Sequence, residues 1–313
     1  SWVHMREPEK ATEKAKDVVR MAVARASFLK PQEESEVPVD PTALVIGGGI
    51  SGITSALCMA NQGFKVYLVE KEPDLGGMLR KIYKLYPTDE EASGIVKASV
   101  NAVVNHPNIK TLTSSIVKSV DGYIGNFEVT VLQGGQETKF KAGTVIVATG
   151  AVEFEPVGKY GDDLYDRVLT QVQLEKALQD GKAVIDKFYR PSRIAMIQCV
   201  GAREEKPPRA YCSRICCMVA VKNAMLLKEW YPDSEVYIVY QDMQTYGKDY
   251  EEHHRKAREA GIKFINYTKE RPPEVVSLPD KRLRVSVYHA LLGEKRELDC
   301  DLVVLSTPLV QHE

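Results

Sequence analysis

One glycine-rich stretch constrains the fold of this chain more than any other. Residues 43–53 read Ala-Leu-Val-Ile-Gly-Gly-Gly-Ile-Ser-Gly-Ile, a short apolar run followed by a glycine turn and a predicted helix. In a dinucleotide-binding turn the first glycine permits the tight turn, the second lets backbone approach a pyrophosphate, and the third lets the helix pack on the strand. The pyrophosphate would sit on the N-terminus of a helix over about 51–61. We therefore predict cofactor contacts at Gly47, Gly49, Ile50, Ser51 and Gly52.

A second apolar run supports this prediction. It covers residues 64–69 and ends at Glu70, which lies 21 residues after Gly49. An acid at that distance meets a ribose 2′-OH and would repel a 2′-phosphate. The predicted ligand is thus FAD or NAD rather than NADP. The alternative is a glycine turn in an unrelated α/β unit.

Composition limits the class of protein. With 313 residues the chain is long enough for two domains, and 44% hydrophobic and 27% charged residues are typical of a soluble globular protein. A net charge of −1 gives no sign of a nucleic-acid partner. No apolar run approaches the ~20 residues of a membrane span, and the N-terminus does not read as a signal peptide. We expect a cytoplasmic enzyme.

The first half contains further predicted elements. Residues 7–29 read as a packing helix, and residues 31–41 as a linker rich in Pro and Glu. Gly76-Gly77, followed by Met78, suits close approach to a flavin dinucleotide, although it could equally be a plain turn. A β-meander is predicted over 115–120, 126–133 and 137–140, with turns at Asp121-Gly122 and Gly134-Gly135. Residues 144–150 read as a buried strand whose small last residues, Ala148, Thr149 and Gly150, abut a cofactor.

The second half starts another βαβ unit. An apolar strand over 193–198 is followed by Cys199-Val200-Gly201-Ala202-Arg203, which lacks the paired glycines. A helix is predicted to run from the cysteines near 216 to about Trp230. Strands at 235–240 and 263–267, a helix at 250–260, a hairpin at 283–289 and 295–298, and a final buried strand at 301–306 complete the prediction.

Four of the six cysteines form the pattern Cys199-x12-Cys212-x3-Cys216-Cys217. Four thiolates converging from a strand end, a loop and a helix start fit a [4Fe–4S] cluster or tetrahedral zinc. The alternative is a set of buried unreactive cysteines, which is the role we expect for Cys58 and Cys300. In a cytosolic α/β chain, clustered cysteines favour metal or redox chemistry over structural disulfides.

Two other candidates are less informative. Lys222 lies five residues after Cys217 on the same predicted helix, and spacing alone favours a solvated helix lysine. His253-His254 is predicted to be a wet helix face rather than a metal site, because adjacent helix residues point ~100° apart.

Together, the glycine turn, Glu70, Gly76-Gly77, the strand ending at 148–150 and the second βαβ unit resemble the thioredoxin-reductase-like flavoproteins. We therefore predict an α/β fold of two Rossmann-like three-layer domains, with a β-meander in the first. A closer resemblance, covering nearly the whole chain, is to the HdrA family, the flavin-containing components of heterodisulfide reductase and their bacterial relatives. It rests on residues 2–5 (Trp-Val-His-Met), 11–16, 21–26, Ile197-Gln198-Cys199-Val200-Gly201 and Tyr211-Cys212-Ser213-Arg214-Ile215-Cys216-Cys217-Met218.

This resemblance implies a function. Members of the family are FAD proteins that split electron pairs, sending one electron towards a heterodisulfide or similar acceptor and one towards ferredoxin. They carry [4Fe–4S] clusters and work in anaerobes with partner subunits and a hydrogenase or dehydrogenase as electron donor; a homodimer is left open. The resemblance assigns the cluster to the four cysteines, places Lys222 near flavin N5, and adds Lys71, Met78 and Val117 to the FAD contacts.

The chain departs from the family in three places. Family members carry a cysteine just before the Ser-Trp-Val-His-Met segment, whereas this chain begins at Ser1, and many carry a ferredoxin-type four-cysteine run, which this sequence does not contain. In the family a last flavin-contacting segment follows the strand at 301–305, whereas this sequence ends at Glu313. We therefore expect a fragment of a longer protein. The predicted parts are a helix and linker (1–40), an FAD-binding domain (41–158 and 299–313) and a second Rossmann-like domain with the cysteines (159–298).

An ordinary NAD(P)H-dependent flavin disulfide reductase, of the thioredoxin-reductase type, is the competing interpretation. Because the second βαβ unit lacks GxGxxG and carries cysteines in its place, the sequence favours the electron-transfer component.

Overall fold

The computed structural model describes residues 5–31, 36–162, 165–189, 191–205 and 208–312. The chain divides into two compact units, Ser1–Val39 and Asp40–Glu313. The first contains the helix α1 (Pro8–Ser27), whose start is favoured by a proline at the first helical position. None of its side chains is buried. The helix is confirmed, but the packing role expected of it is not, because Val18, Val19 and Met21 are each at least half exposed. Residues 2–4 of the family segment lie outside the described residues.

The second unit begins with a parallel sheet and a meander. In chain order the elements are β1 (Thr42–Ile46), α2 (Ile50–Asn61), β2 (Lys65–Val69), a 3-10 helix (Gly77–Lys81), α3 (Ala92–Val104), β3 (Ile109–Leu112), β4 (Ser115–Tyr123), β5 (Asn126–Gln133), β6 (Gln136–Ala142), β7 (Thr144–Val147) and β8 (Val152–Glu153). The parallel sheet has the order β3-β2-β1-β7, and β4-β5-β6 form a separate antiparallel sheet.

Side chains on alternating faces of β1 pack against helices on one side of the sheet and against the meander on the other, which gives three layers. Ala43 and Val45 face α2 and α3, while Leu44 faces the meander. Successive strand residues point to opposite faces, so an apolar run covered on both sides is buried throughout. The predicted Rossmann-like layering with a meander is confirmed for this part of the chain.

The first turn of the meander is not where the sequence suggested. β4 continues through Asp121-Gly122, and the chain reverses at Ile124-Gly125, so that Tyr123 pairs with Asn126. Gly125 has φ +96°, a backbone conformation that glycine adopts more readily than other residues. The prediction at Asp121-Gly122 is wrong because two nearby glycines could each supply that conformation. The Gly134-Gly135 turn is confirmed, with both φ values positive.

The strand predicted over 144–150 is shorter and less buried than expected. β7 ends at Val147 and lies at the edge of the four-stranded sheet, where it pairs with β1. Val147 is 70% exposed. Its apolar sequence indicated burial, but within the described residues it has a sheet neighbour on one side.

The rest of the chain forms a second parallel sheet. Its elements are β9 (Val168–Thr170), α4 (Gln171–Asp180), α5 (Lys182–Phe188), β10 (Arg193–Ile197), α6 (Cys216–Trp230), β11 (Glu235–Tyr240), α7 (Tyr250–Glu259), β12 (Lys263–Asn266), β13 (Glu274–Ser277), β14 (Leu283–His289), β15 (Glu294–Cys300), β16 (Leu302–Leu305) and β17 (Leu309–Val310). The sheet order is β12-β11-β10-β16-β9, with every pair parallel.

This second sheet is also covered on both faces. One face packs against α4 and α6, and the other against the antiparallel sheet β13-β14-β15. The sequence analysis missed β9, α4 and α5, as well as β13.

The position of β16 corrects a predicted domain boundary. Residues 299–313 were expected to return to the first domain, yet β16 pairs with β10 and β9 in the second sheet. An apolar run of four does not reveal which sheet it joins. β17 then pairs antiparallel with β8, on the segment that leads from the first sheet to the second. The described helices include none that is long and apolar enough to cross a membrane.

Candidate functional site

In the glycine turn after β1, Gly47 and Gly52 have no room for a side chain, whereas Gly49 does. A Cβ on Gly47 would lie 2.2 Å from the Ala148 carbonyl oxygen, and one on Gly52 would lie 1.8 Å from the Gly47 oxygen. A Cβ on Gly49 would meet no atom within 4 Å. The first and third glycines thus allow protein to pack closely, while the space beside Gly49 is free for a ligand.

The helix that follows this turn offers an anion site. α2 begins at Ile50 with Gly49 as its N-cap, and no side chain caps it. The N–H groups of a first helical turn have no partner within the helix, and the helix dipole favours negative charge there. Ser51 is exposed beside the same turn. These features fit a pyrophosphate, as the sequence predicted.

Glu70 braces the glycine turn from the end of β2. It is 8% exposed, and its two carboxylate oxygens accept the N–H groups of Gly48 at 2.5 Å and Glu72 at 2.9 Å. A carboxylate has about four lone-pair positions, so capacity remains for a ribose hydroxyl. Lys71, which follows it, is exposed, and its Nζ lies 3.3 Å from His312 Nδ1.

The second glycine pair packs directly on the first turn. Gly76 N–H donates to the Gly48 carbonyl at 2.8 Å, and a Cβ on Gly77 would lie 2.9 Å from Gly49 Cα. Met78 follows in the 3-10 helix. The structure thus brings the two glycine segments, Glu70 and Ala148 together.

The remaining predicted FAD contacts lie around this centre. Thr149 and Gly150 are exposed just beyond β7, where Gly150 has φ +70° and open space at its Cβ position. Val117 lies in β4, half-buried against the core that the meander shares with β1.

The cysteines lie at the topological switch point of the second sheet. From β10 the chain moves outward to β11 and β12 and then returns to β16 on the other side, and open α/β sheets bind ligands outside the strand ends at such a point. Cys199 follows β10 with φ +62°. Cys216 begins α6, and its Sγ donates to the carbonyl oxygen of Thr307, just after β16, at 3.2 Å.

The other two cysteines, Cys217 and Cys212, differ in exposure. The Cys217 thiol is buried and lies 3.7 Å from the carbonyl oxygen of Asp242, just after β11. Cys212 is exposed in the preceding loop, and its Sγ accepts the Arg214 N–H at 3.3 Å.

Burial and mutual proximity perturb these thiols. Burial raises the pKa of Cys199 to about 11 and the pKa of Cys216 to about 12, and the neighbouring Cys217 adds to both shifts. Burial also raises the pKa of Cys217. The described residues nevertheless contain no group of three or more Cys, His, Asp or Glu side chains placed to hold a metal ion. Because two thiols point at backbone carbonyls, ligation by all four would require those side chains to turn.

The two cysteines outside the motif differ from each other. Cys300 is fully buried, as expected of a structural residue, and burial raises its pKa to about 12. Cys58 is exposed on α2, so the expectation that it is buried is wrong.

Lys222 is the most unexpected residue of the site. It is 1% exposed, and its Nζ donates to the Lys84 carbonyl at 2.7 Å and to the carboxylate of Glu175. Burial lowers the pKa of Lys222, and the Glu175 carboxylate opposes that shift. The solvated lysine predicted from spacing is therefore wrong, because α4, which covers this face of α6, was not predicted.

Glu175 completes this ion pair, and the sequence analysis missed it. It is 2% exposed and accepts the Tyr83 N–H at 2.9 Å. The pair therefore ties α4 and α6 to the 83–84 segment that precedes α3. A signal was available in the sequence: Glu175 lies between Leu174 and Leu178, two fully buried residues of the α4 face.

The paired histidines of α7 also differ from expectation. His253 is 5% exposed, and the His254 ring packs edge-on against Phe264 at 4.7 Å. The wet face is formed instead by Glu252, Arg255 and Glu259, which pair with one another. Burial lowers the pKa of His253.

Comparison with known proteins adds family information. Residues 41–202 match the family model described as pyridine nucleotide-disulphide oxidoreductase. The chain is 39% identical, over an alignment 404 positions long, to one of the iron–sulfur A subunits of the CoB–CoM heterodisulfide reductase of Methanopyrus kandleri. It is 36% identical, over 398, to the A subunit of the H2:CoB-CoM heterodisulfide,ferredoxin reductase of Methanothermobacter thermautotrophicus. Both alignments cover the whole chain, which spans 60% of the length of each relative.

Solved structures share the fold. Thioredoxin reductase of Lactococcus lactis in its FR conformation is similar with a TM-score of 0.55 and 18% identity, covering 86% of this chain and 78% of that one. Thioredoxin reductase of T. acidophilum gives 0.54 and 16%, covering 87% and 78%. These similarities confirm the predicted fold class.

Proposed function

The chain belongs to the pyridine nucleotide-disulphide oxidoreductase family and is a relative of the A subunits of heterodisulfide reductases. On this premise we propose that it is the FAD- and iron–sulfur-dependent electron-transfer component of a heterodisulfide-reductase-like complex. The relatives are named as subunits of such reductases, and one name includes ferredoxin. The proposal extends to partner subunits, a hydrogenase or dehydrogenase donor, a disulfide-type acceptor and ferredoxin, with the electron pair divided between the two acceptors.

The observation that carries the proposal is the location of the cysteines. In a nicotinamide-binding domain a pyrophosphate would occupy the N-terminus of the helix after the first strand of the βαβ unit. Here that helix is α6, and it begins with Cys216 and Cys217. In the turn after β10, Gln198 stands at the backbone position that Gly47 holds after β1, and Cys199 follows it. Thiols thus occupy the position where an ordinary reductase of this fold would bind its hydride donor.

The first half would hold FAD. The open space at Gly49, the uncapped start of α2 and the buried carboxylate of Glu70 suit its pyrophosphate and ribose. When bound, FAD supplies a carrier that takes up two electrons and can release them singly. The family resemblance assigns Lys222 a place near flavin N5, where a positive charge would favour the reduced, anionic form. Its ammonium is bonded to the Glu175 carboxylate and to the Lys84 carbonyl, so this role would require the ion pair to open.

The second half would hold a [4Fe–4S] cluster. The donor set fits, because Cys199, Cys212, Cys216 and Cys217 supply four thiolates, and soft sulfur ligands favour iron–sulfur clusters or zinc. A cluster there would accept or donate one electron at a time. Cys217 is buried and Cys199 and Cys216 are partly buried, so the protein limits access of water to three of the four sulfurs, while Cys212 is exposed.

We expect the full-length protein to release FAD, and the Gly49→Ala protein to release at least about tenfold less after dialysis, a loss of about 1.4 kcal/mol or more in binding. The added Cβ would meet no protein atom but would fill the space left for the pyrophosphate. The measurement is chromatography of the cofactor freed by denaturation. Gly94→Ala is the matched control, since its Cβ would also meet no atom within 4 Å. Release of NAD, or equal FAD from both variants, would contradict the assignment.

We also expect no tight nicotinamide binding by the flavin-loaded protein. The Cys199–Arg203 turn lacks paired glycines, and Cys216 and Cys217 begin the helix that would receive the pyrophosphate. Calorimetric titration with NADH and NADPH checks this. A dissociation constant near micromolar, about −8 kcal/mol, would instead favour the ordinary NAD(P)H-dependent reductase.

A further inference from the structure

A layer of polar side chains lies inside the contact between α4, α6 and the second sheet. Gln171, Gln198, Asn223 and Ser306 are each at most 4% exposed. Asn223 Nδ2 donates to Gln171 Oε1 at 2.8 Å, and Gln171 Nε2 donates to Ser306 Oγ at 3.0 Å. Two amides and a hydroxyl thus form a chain of hydrogen bonds within a region that is otherwise apolar.

Three polar atoms of this layer have no protein partner among the described residues. They are Asn223 Oδ1 and both amide atoms of Gln198, Oε1 and Nε2. Each has almost no contact with solvent. A buried donor or acceptor without a partner costs free energy, and most such groups in native proteins are paired with protein or with ordered water.

Strand register puts Gln198 in the same layer as Ser306. Ile197 of β10 pairs with Leu305 of β16, so the next residues along each strand, Gln198 and Ser306, are also neighbours. Met196 and Val304, two residues earlier on each strand, face the core formed with α4 and α6. Since side chains alternate along a strand, Gln198 and Ser306 face that same core.

We propose that Gln198, Asn223 and Ser306 bind internal water. Water can donate and accept, and it needs two to four polar partners, which these side chains supply. An anion is opposed by Glu175, which lies one turn beyond Gln171 on α4, and a cation by Lys222, which precedes Asn223 on α6. Water is the neutral species that satisfies all three unpaired atoms.

The location gives this water site a role. Ser306 is followed by Thr307, whose carbonyl accepts the Cys216 thiol. On the other side, Gln171 and Asn223 adjoin the Glu175–Lys222 ion pair. The bound water therefore continues the polar layer from the thiol-bearing strand ends to the buried ion pair. This inference holds whether or not the chain binds FAD or a cluster.

Crystallography of the full-length protein at high resolution tests the site. We expect ordered solvent density within hydrogen-bonding distance of the Gln198 amide and of Asn223 Oδ1. The absence of such density, or an amide position that pairs Gln198 with protein instead, would overturn the proposal.

Denaturation of the Gln198→Leu protein provides a second measurement, because the change in the denaturant midpoint differs between a water-filled and a dry site. If the amide binds water, the substitution expels that water, leaves Asn223 Oδ1 unpaired, and lowers the denaturant midpoint. If the site is dry, it removes an unpaired amide and the midpoint is unchanged or raised. Val304→Leu is the control, because it adds volume to the same face without removing a polar group. A midpoint for Gln198→Leu equal to or above that of the wild type would contradict the water site, whatever Val304→Leu costs by overpacking.

Discussion

Full-length protein carrying Cys217→Ser or Cys212→Ser, prepared under argon, is expected to lose its cluster iron. Cys199 follows β10, and the thiols of Cys216 and Cys217 lie against the carbonyls of Thr307 and Asp242, just after β16 and β11. With Cys212 of the preceding loop, each proposed thiolate is a quarter of the ligand set. Total iron and acid-labile sulfide should fall by the content of one [4Fe–4S] cluster per chain relative to the wild type. The low-temperature EPR spectrum of the dithionite-reduced protein should lose the component that belongs to this cluster.

The matched control for this experiment is Cys58→Ser. Cys58 is an exposed cysteine on α2 in the first half of the chain, so its replacement should leave iron content and the EPR signal unchanged. Full iron with an unchanged signal in both Cys212→Ser and Cys217→Ser would disprove the ligand assignment. Zinc in place of iron in anaerobically prepared protein would give the site a structural role and remove the proposed electron path.

Lys222→Met is expected to lower the free energy of unfolding by about 3–5 kcal/mol, as does the loss of one partner from other buried ion pairs. The substitution leaves the Glu175 carboxylate buried, with the Tyr83 N–H as its remaining hydrogen-bond donor among the described residues. It also removes the bond to the Lys84 carbonyl. Urea denaturation of the variant beside the wild type measures the effect.

Two further variants isolate the charge. In Glu175→Gln/Lys222→Met the uncompensated carboxylate is gone, so most of the lost stability should return. Lys176→Met, which breaks an exposed pair with Asp180 on α4, should cost at most about 1 kcal/mol. If Lys222→Met were as mild as Lys176→Met, the ion pair would not be the buried connection described above.

In flavin-loaded protein, Lys222→Met should also lower the flavin midpoint potential if the lysine acts on the flavin.

Local patterns predicted most elements of the fold correctly. The glycine spacing after β1 reflects contacts within a few residues, such as that between Gly52 and the Gly47 oxygen. Apolar runs identified β1, β2, β10, β11 and β16 because strands of a covered parallel sheet are apolar throughout. The helix start at Cys216 was also predictable from the sequence.

Errors arose where several parts of the chain meet. α4 begins with a capping box at Thr170 and Gln173, a signal that the sequence analysis overlooked. Without α4, Lys222 had no visible partner, and a lysine on a helix is ordinarily solvated. The pair of histidines on α7 was also misplaced, because the angle between adjacent helix residues argues against a shared metal site but does not tell which face of the helix packs inward, as His253 does.

The sequence by itself determined the class of fold, the glycine loop with its acid, and the set of four thiols, because each depends on residue type and short-range spacing. Only the tertiary structure decided that β16 joins the second sheet, that β7 is an edge strand, and that Lys222 is buried against Glu175. It also decided that Cys216 and Cys217 point at the carbonyls of Thr307 and Asp242. These features depend on which distant segments share a strand edge or a helix face, and a one-dimensional pattern does not contain that information.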